Sequence, residues 1–287
     1  MRFFFIFVSF FKEETLHLSI SVNNRTTMEI KNLDGSPLVF EQDGKLIFEE
    51  VEHTYHVMGL GDLTPVSQVI ARFFKPFDAT YWSLRKSHGN EQKAAELREH
   101  WAAKGAVASQ TGTFLHRQIE RFLNGDQQPE MICHTSYKGK FVQLQKDIDI
   151  TKEWNFFRAF DHETDYHPFR TEWGVFDPVA RMAGTIDLIC SCPDGTYEIY
   201  DWKRSNKVDP NENTPWSTGL HGLEHLADTS YRHYCLQQNL YRYIVEQYYG
   251  LKISRMNLVV LHPDYWKYRI VPIPRMQREV ETILQHL

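Results

Sequence analysis

Between Gly184 and Arg204 the chain reads as two apolar, β-rich runs around Pro193-Asp194-Gly195, where proline and glycine supply turn geometry. Folding it about Asp194 sets Cys192 opposite Thr196, Ile189 opposite Ile199 and Asp187 opposite Asp201. The same kind of alternation predicts strands from Met28 to about His56, with Asp43-Gly44 as a turn, and further strands near residues 169–176, 256–262 and 268–272. Helical spacing takes over elsewhere. A capped helix and a Phe/Pro-rich loop are predicted over 64–82, and NEQKAAELREHWAAK favours helix by propensity. In GTFLHRQIERFLNGD, Leu115, Ile119 and Phe122 form one stripe that Gly125 ends. Further helices are expected over 141–160 and 231–249, the latter with a stripe of Leu236, Leu240 and Ile244, and a short one at the C-terminus.

This order of helix, three strands, helix and strand points to an α/β (α+β) fold with a mixed central sheet flanked by helices. Residues 28–104 are read as N-terminal strands and helices packing on a core of 105–287. The segment 206–228 is a long loop rich in Pro, Gly and Asn, and long loops in compact domains are often functional. The first residues contain the run FFFIFVSFF, too short to span a bilayer as a helix and without a small-residue cleavage site. Because MEIKNLDG at Met28 resembles an ordinary start, residues 1–27 are set aside as a non-native or disordered extension.

Composition adds few constraints. The 287 residues are 42% hydrophobic and 24% charged, enough for a substantial core. A net charge of −5 argues against indiscriminate wrapping of nucleic acid, though acids gathered at a metal site would lower the sum without precluding a local basic channel. The four cysteines lack CxxC spacing, which suits reduced apolar filling in an intracellular protein, with no membrane association. No Gly-rich phosphate loop, HExxH or GxSxG is present.

The chemistry centres on the hairpin. Like charges directly opposite each other across two strands are destabilising, so Asp187 facing Asp201 among isoleucines needs a reason. A hard cation between them would supply one, since Mg²⁺ takes one or two carboxylates, keeps waters and binds phosphates. Lys203 shares a strand face with Asp201 and could orient a water or steady charge on a phosphoryl oxygen. The Trp202 carbonyl is a further possible ligand. The plainer reading is an edge-strand ion pair of one acid with Lys203. Acid-x-Lys alone carries little, because it occurs four times, at Glu29, Asp43, Glu91 and Asp201. Only Asp201 ends an apolar strand with an acid aligned across a turn.

His116 and Glu120 are i, i+4 on one helix face, away from the apolar stripe; a metal-ligand role competes with that of a satisfied, partly buried histidine. Gln237 and Tyr241 stand likewise on the later helix, able to donate to phosphate oxygens or to form a surface pair. Glu172, in RTEWGV, is either a further ligand or an exposed strand charge.

Taken in order, GTFLHRQIE, GTIDLI, YDWK and QQNLY resemble the PD-(D/E)XK nuclease superfamily, in its RecB-like exonuclease branch. HTYHVMGLGDLTPVSQVIARFFKPFD is similar to the N-terminal part of mitochondrial genome maintenance exonucleases and their viral and phage relatives. The resemblance covers roughly Phe48 to Pro272. It implies a Mg²⁺- or Mn²⁺-dependent DNA exonuclease of repair, recombination or replication that leaves 5′-phosphate and 3′-hydroxyl ends. On it, His116, Asp187 and Asp201 hold metal with the Trp202 carbonyl assisting, Lys203 positions the attacking water, and Gln237 and Tyr241 contact the backbone of DNA. Glu120 and Glu172 are second-rank catalytic candidates. Some relatives hold an iron–sulfur cluster through cysteines after the Q-x-x-x-Y helix; none follows Cys235 here, so no cluster is expected. No helicase motif is seen, so unwinding would fall to a separate helicase or replication protein. An endonuclease, an RNA-directed nuclease and a non-catalytic nucleic-acid-binding module remain as alternatives, since fold does not settle substrate. Trp82, Trp101 and Trp216 could stack on bases or fill the core.

Overall fold

The computed structural model describes residues 32–49, 54–212 and 217–287. The expectations for residues 1–27, the start of the first strand region and Trp216 lie outside them. β1 (Leu46–Glu49), β2 (Thr54–Val57) and β3 (Gly61–Pro65) form an antiparallel meander, after the predicted turn in which Gly44 takes φ +75°. Three helices follow: α1 (Val66–Ala71), α2 (Ala79–Lys86) and α3 (Glu91–Leu123). Asp78 and Asn90 cap the second and third, each side chain accepting a backbone N–H of the first turn.

α3 runs unbroken for 33 residues. Residue 104, where the sequence reading divides the chain, lies within this helix, which carries Gly105 and Gly112 in its interior. The helix expected over 141–160 is corrected. Its first half belongs to a separate hairpin of β4 (Ile132–Lys138) and β5 (Gln143–Asp149), and only α4 (Thr151–Glu163) is helical. Phe141, Leu144 and Ile148 fit helical spacing, but Val142, Leu144, Ile148 and Ile150 also alternate, and β4 supplies the partner that makes alternation win. Asp149 then opens α4 by accepting the Thr151 N–H at 2.8 Å.

β6 (His167–Asp177), β7 (Met182–Ser191) and β8 (Tyr197–Lys203) are successive antiparallel strands. α5 (Ser230–Tyr248) crosses to β9 (Ile253–Val260), which runs parallel to β8, and β10 (Arg269–Pro272) and α6 (Gln277–Leu284) complete the chain. The result is a mixed eight-stranded sheet in the order β1-β2-β3-β7-β8-β9-β10, with β6 also pairing with β7. One face packs under α1, α5 and α6 through Val69, Leu236, Leu240, Ile244 and Val280; the other packs under α3 and α4 through Leu115, Ile119, Phe157 and Phe160. Trp202 is buried in the second layer, edge-on to Phe157 and Phe160. The four cysteines are unpaired. No helix among the described residues is long and apolar enough to cross a membrane.

Candidate metal centre

The site lies where the regular ladder fails. β7 pairs with β8 from Ser191 to Leu188, in the predicted register with Ile189 opposite Ile199, and pairing stops at Leu188–Tyr200. One step further Asp187 would meet Asp201. Instead the Trp202 N–H donates to Asp187 Oδ2 at 2.8 Å, so a side chain takes the place of a strand partner. On the other side of β7, the ladder with β6 skips the position where Glu172 would meet Asp187, and Glu172 adopts φ +43°, a left-handed conformation costly for a non-glycine residue. Met182 and Ile186 pack under α5, whereas Leu188 and Cys190 pack under α3 and α4. The alternation of β7 changes phase at Asp187. Both ladders of β7 are therefore irregular at Asp187, where regular pairing would have set Glu172 on one side and Asp201 on the other directly opposite it.

α3 brings His116 against this break. Its Nε2 donates to the Trp202 carbonyl at 2.9 Å, since a carbonyl can only accept. Burial and the Lys203 charge push its pKa down to about 4, so the imidazole is neutral and Nδ1 carries a lone pair. That lone pair faces Asp187 Oδ2 at 3.4 Å and Glu172 Oε1 at 3.8 Å. Three electron-rich atoms facing one another are a repulsive arrangement that a cation relieves. Among the described residues, His116, Glu172 and Asp187 are the group whose donor atoms lie within 4.8 Å of one another. Orientation of a ligating imidazole by a hydrogen bond on its other nitrogen is the usual support of metal sites; the carboxylates suit a hard cation, while the imidazole equally suits a softer transition metal.

The predicted ligand residues lie in and around this cluster. Glu172, ranked second from sequence, is a member of the cluster. Asp201 stands beside it, with Oδ2 on Lys203 Nζ at 2.6 Å and Oδ1 accepting from Gln238 Nε2 at 2.7 Å. The Trp202 carbonyl is engaged by His116. Glu120 adds to the electrostatic load on Glu172 from the next turn of α3. Gln237 donates to Tyr241 Oη at 3.0 Å, and Tyr241 is buried against Gly184, where an added Cβ would come within 2.7 Å of the phenol oxygen. The glycine of GTID is thus the space that Tyr241 occupies. Trp82 and Trp101 sit on the α2–α3 hairpin with Arg85 and Lys86 over their respective rings at 5.4 and 5.6 Å.

Gln238 and Tyr55 are site residues that the sequence reading missed. Gln238 is a polar residue wholly buried between the stripe positions Leu236 and Leu240, a signal available in QQNLY. Tyr55 has no local signal; its phenol reaches Thr185 from a hairpin 130 residues away.

Burial is the largest cause raising all three acids. Asp187 and Asp201 are pushed up to about 6, with Lys203 opposing, and Glu172 is raised well above its usual range by burial, then Asp187, Glu120 and Asp201. An acid whose folded pKa exceeds its unfolded value stabilises the fold below that window, and loses this contribution as pH rises through it. His116, depressed, acts in the opposite sense between about pH 4 and 6.5. A cation requires all of these groups deprotonated. Mn²⁺ should therefore raise the melting temperature at pH 8 and fail to do so at pH 4.5. Calorimetry at the two pH values decides this, and an equal or absent shift at both would remove the metal reading.

No family model and no curated protein matches the chain. A solved structure, that of SSO0001, aligns over 77% of this chain and 80% of its own at 13% identity, with a TM-score of 0.29, too low to carry a structural argument.

Proposed function

We propose that this chain is a divalent-metal-dependent nuclease of the PD-(D/E)XK type acting on DNA, most simply an exonuclease leaving 5′-phosphate and 3′-hydroxyl ends. The observation that carries the reading is the convergence of His116 Nδ1, Glu172 and Asp187 beside the Asp201–Lys203 pair. When bound, a divalent cation supplies Lewis acidity and a water of lowered pKa. The chain's own role is to fix the donors. Trp202 holds His116 by its carbonyl and Asp187 by its amide, so one residue's backbone orients two ligands. Gln238 and Lys203 hold Asp201 from two sides, and in this reading the Lys203 ammonium is the group that steadies negative charge on a phosphoryl oxygen.

A polyanionic substrate fits the surroundings. Lys207, after β8, feels the Lys104 charge from α3, one turn from Trp101. Trp101 and His116 are 15 residues apart on the same helix, about 22 Å along its axis. Aromatic faces beside cations are what single-strand binders use.

The decisive assay offers end-labelled linear and circular single-stranded DNA, linear duplex and RNA with Mg²⁺ or Mn²⁺. Linear DNA should be degraded, circles spared, and chelation should stop the reaction. Cut circles would make the enzyme an endonuclease, and preferred cleavage of RNA would change the substrate. An intact, metal-binding protein that cleaves nothing would be a binding module.

A further inference from the structure

One edge of β7 is incompletely covered. β3 pairs with it at Met182 and Ala183, and β8 pairs with it from Leu188 onward, so among the described residues no ladder pair covers Gly184 to Asp187 on that edge. Along this gap the alternation sets Gly184 and Ile186 toward α5 and leaves Thr185 and Asp187 on the opposite side, both partly open to solvent. Thr185 stands two residues from Asp187, about 6.5–7 Å along the strand. Its Oγ1 lies 3.1 Å from the Tyr55 phenol oxygen, and Tyr55 is 3% exposed, packed among Val57, Leu63, Phe176 and Ala183.

Burial leads the causes that push the phenol up to about 12, with the charges of Glu172 and Asp187 adding to it. The phenol keeps its proton beside the acids, and in its hydrogen bond with Thr185 either hydroxyl can be the donor. If Thr185 Oγ1 accepts that proton, its own hydrogen is free to donate toward the open side. A neutral hydroxyl within reach of a carboxylate-lined centre can meet a phosphate oxygen in addition to the Lys203 ammonium.

We propose that Thr185, held by Tyr55, is a binding subsite for a phosphate oxygen of the polynucleotide backbone adjacent to the metal centre, with Thr185 as the contact and Tyr55 as its positioning residue. This rests on the nuclease reading and adds a substrate contact outside the Gln237–Tyr241 pair. It also gives the N-terminal meander a task, because β2 delivers the phenol.

The test compares wild type with Thr185→Val, Thr185→Ser and Tyr55→Phe. The probe is a fluorescein-labelled single-stranded thymidine oligonucleotide, read by anisotropy in Ca²⁺ and by steady-state cleavage in Mn²⁺. Losing a hydrogen bond to a charged group should weaken binding and raise KM about tenfold or more in Thr185→Val, with kcat within a factor of two. Thr185→Ser should restore both, Tyr55→Phe should fall between, and the Mn²⁺-induced melting shift should be unchanged throughout. A fall in kcat at constant KM, failure of serine to rescue, or loss of the Mn²⁺ shift would make the pair a structural support of the metal centre and overturn the subsite. If wild type binds the oligonucleotide yet cleaves nothing, the catalytic reading fails while the anisotropy comparison still decides the subsite. If wild type does not bind it, both fail.

Discussion

Replacing Lys203 with methionine is expected to lower phosphodiester cleavage by about 10²- to 10³-fold, the usual cost of removing a preorganised charge-stabilising group. The ammonium lies 2.6 Å from Asp201 and 4.6 Å from the centre of the Tyr234 ring. Asp201 and Asp187 hold it more firmly protonated than a free lysine, against the effect of burial. The same substitution leaves Asp201 buried with an uncompensated charge. Breaking a buried pair from one side costs about 3–5 kcal/mol, so Lys203→Met should also melt early. Asp201→Asn/Lys203→Met separates the two effects, because it removes both charges and keeps the shape. Its melting temperature should return toward that of wild type while single-turnover cleavage stays lost. Recovered cleavage in the double variant would mean that Lys203 serves only to neutralise Asp201. Asp201→Asn alone should stop cleavage but keep or tighten DNA binding, since a repulsive carboxylate is gone; lost binding with intact turnover would sink that assignment.

The second large effect lies away from the chemistry. Asp43→Ala is expected to destabilise the fold by about 3–5 kcal/mol, because it strands a buried guanidinium. Arg170 is 2% exposed. Its NH1 and NH2 groups donate to Asp43 at 2.8 and 3.0 Å, Nε donates to Asn32 at 2.6 Å, and NH2 also meets the Leu38 carbonyl. The guanidinium stacks near Phe40 and Trp173, 4.8 and 4.7 Å from their ring centres. The segment before β1 is thus strapped to β6 just after its bulge at Pro168/Arg170 and two residues before Glu172. Glu172 holds its left-handed backbone only if its surroundings over-determine it. Asp43→Ala should therefore weaken Mn²⁺ binding as well as lower the melting temperature, whereas Arg170→Met/Asp43→Leu should recover most of the stability. Calorimetry with and without Mn²⁺ reads both. A change under about 1 kcal/mol would show the strap to be superficial.

Much of the architecture was legible from side-chain periodicity. The β7–β8 hairpin, its register through Ile189 and Ile199, α5 with its buried stripe, and the mixed sheet between helices follow from local pattern, because a strand or helix buried on one face leaves its period in the sequence. One misreading has a tertiary cause. At 141–149 helical and alternating spacing coincide, and the tie was broken by β4, a partner that no local window contains. The 33 residues of α3 run on through residue 104, where the sequence reading places a boundary.

The candidate residues themselves came from sequence: His116, Asp187, Asp201 and Lys203 each stand on an element of the predicted type, and all lie together. Their grouping did not. Cross-strand counting paired Asp187 with Asp201, but β7 and β8 separate just before that pair, and a left-handed backbone at Glu172 turns that acid toward His116. A dihedral of a single residue and the phase change it accompanies have no signature in composition or spacing. Nor do contacts closed over long chain separations, such as Tyr55 on Thr185 or Gln238 on Asp201. Local spacing determined which residues could carry the chemistry; only the three-dimensional packing decided which three converge, because convergence depends on how strands diverge and helices approach rather than on the order of letters along the chain.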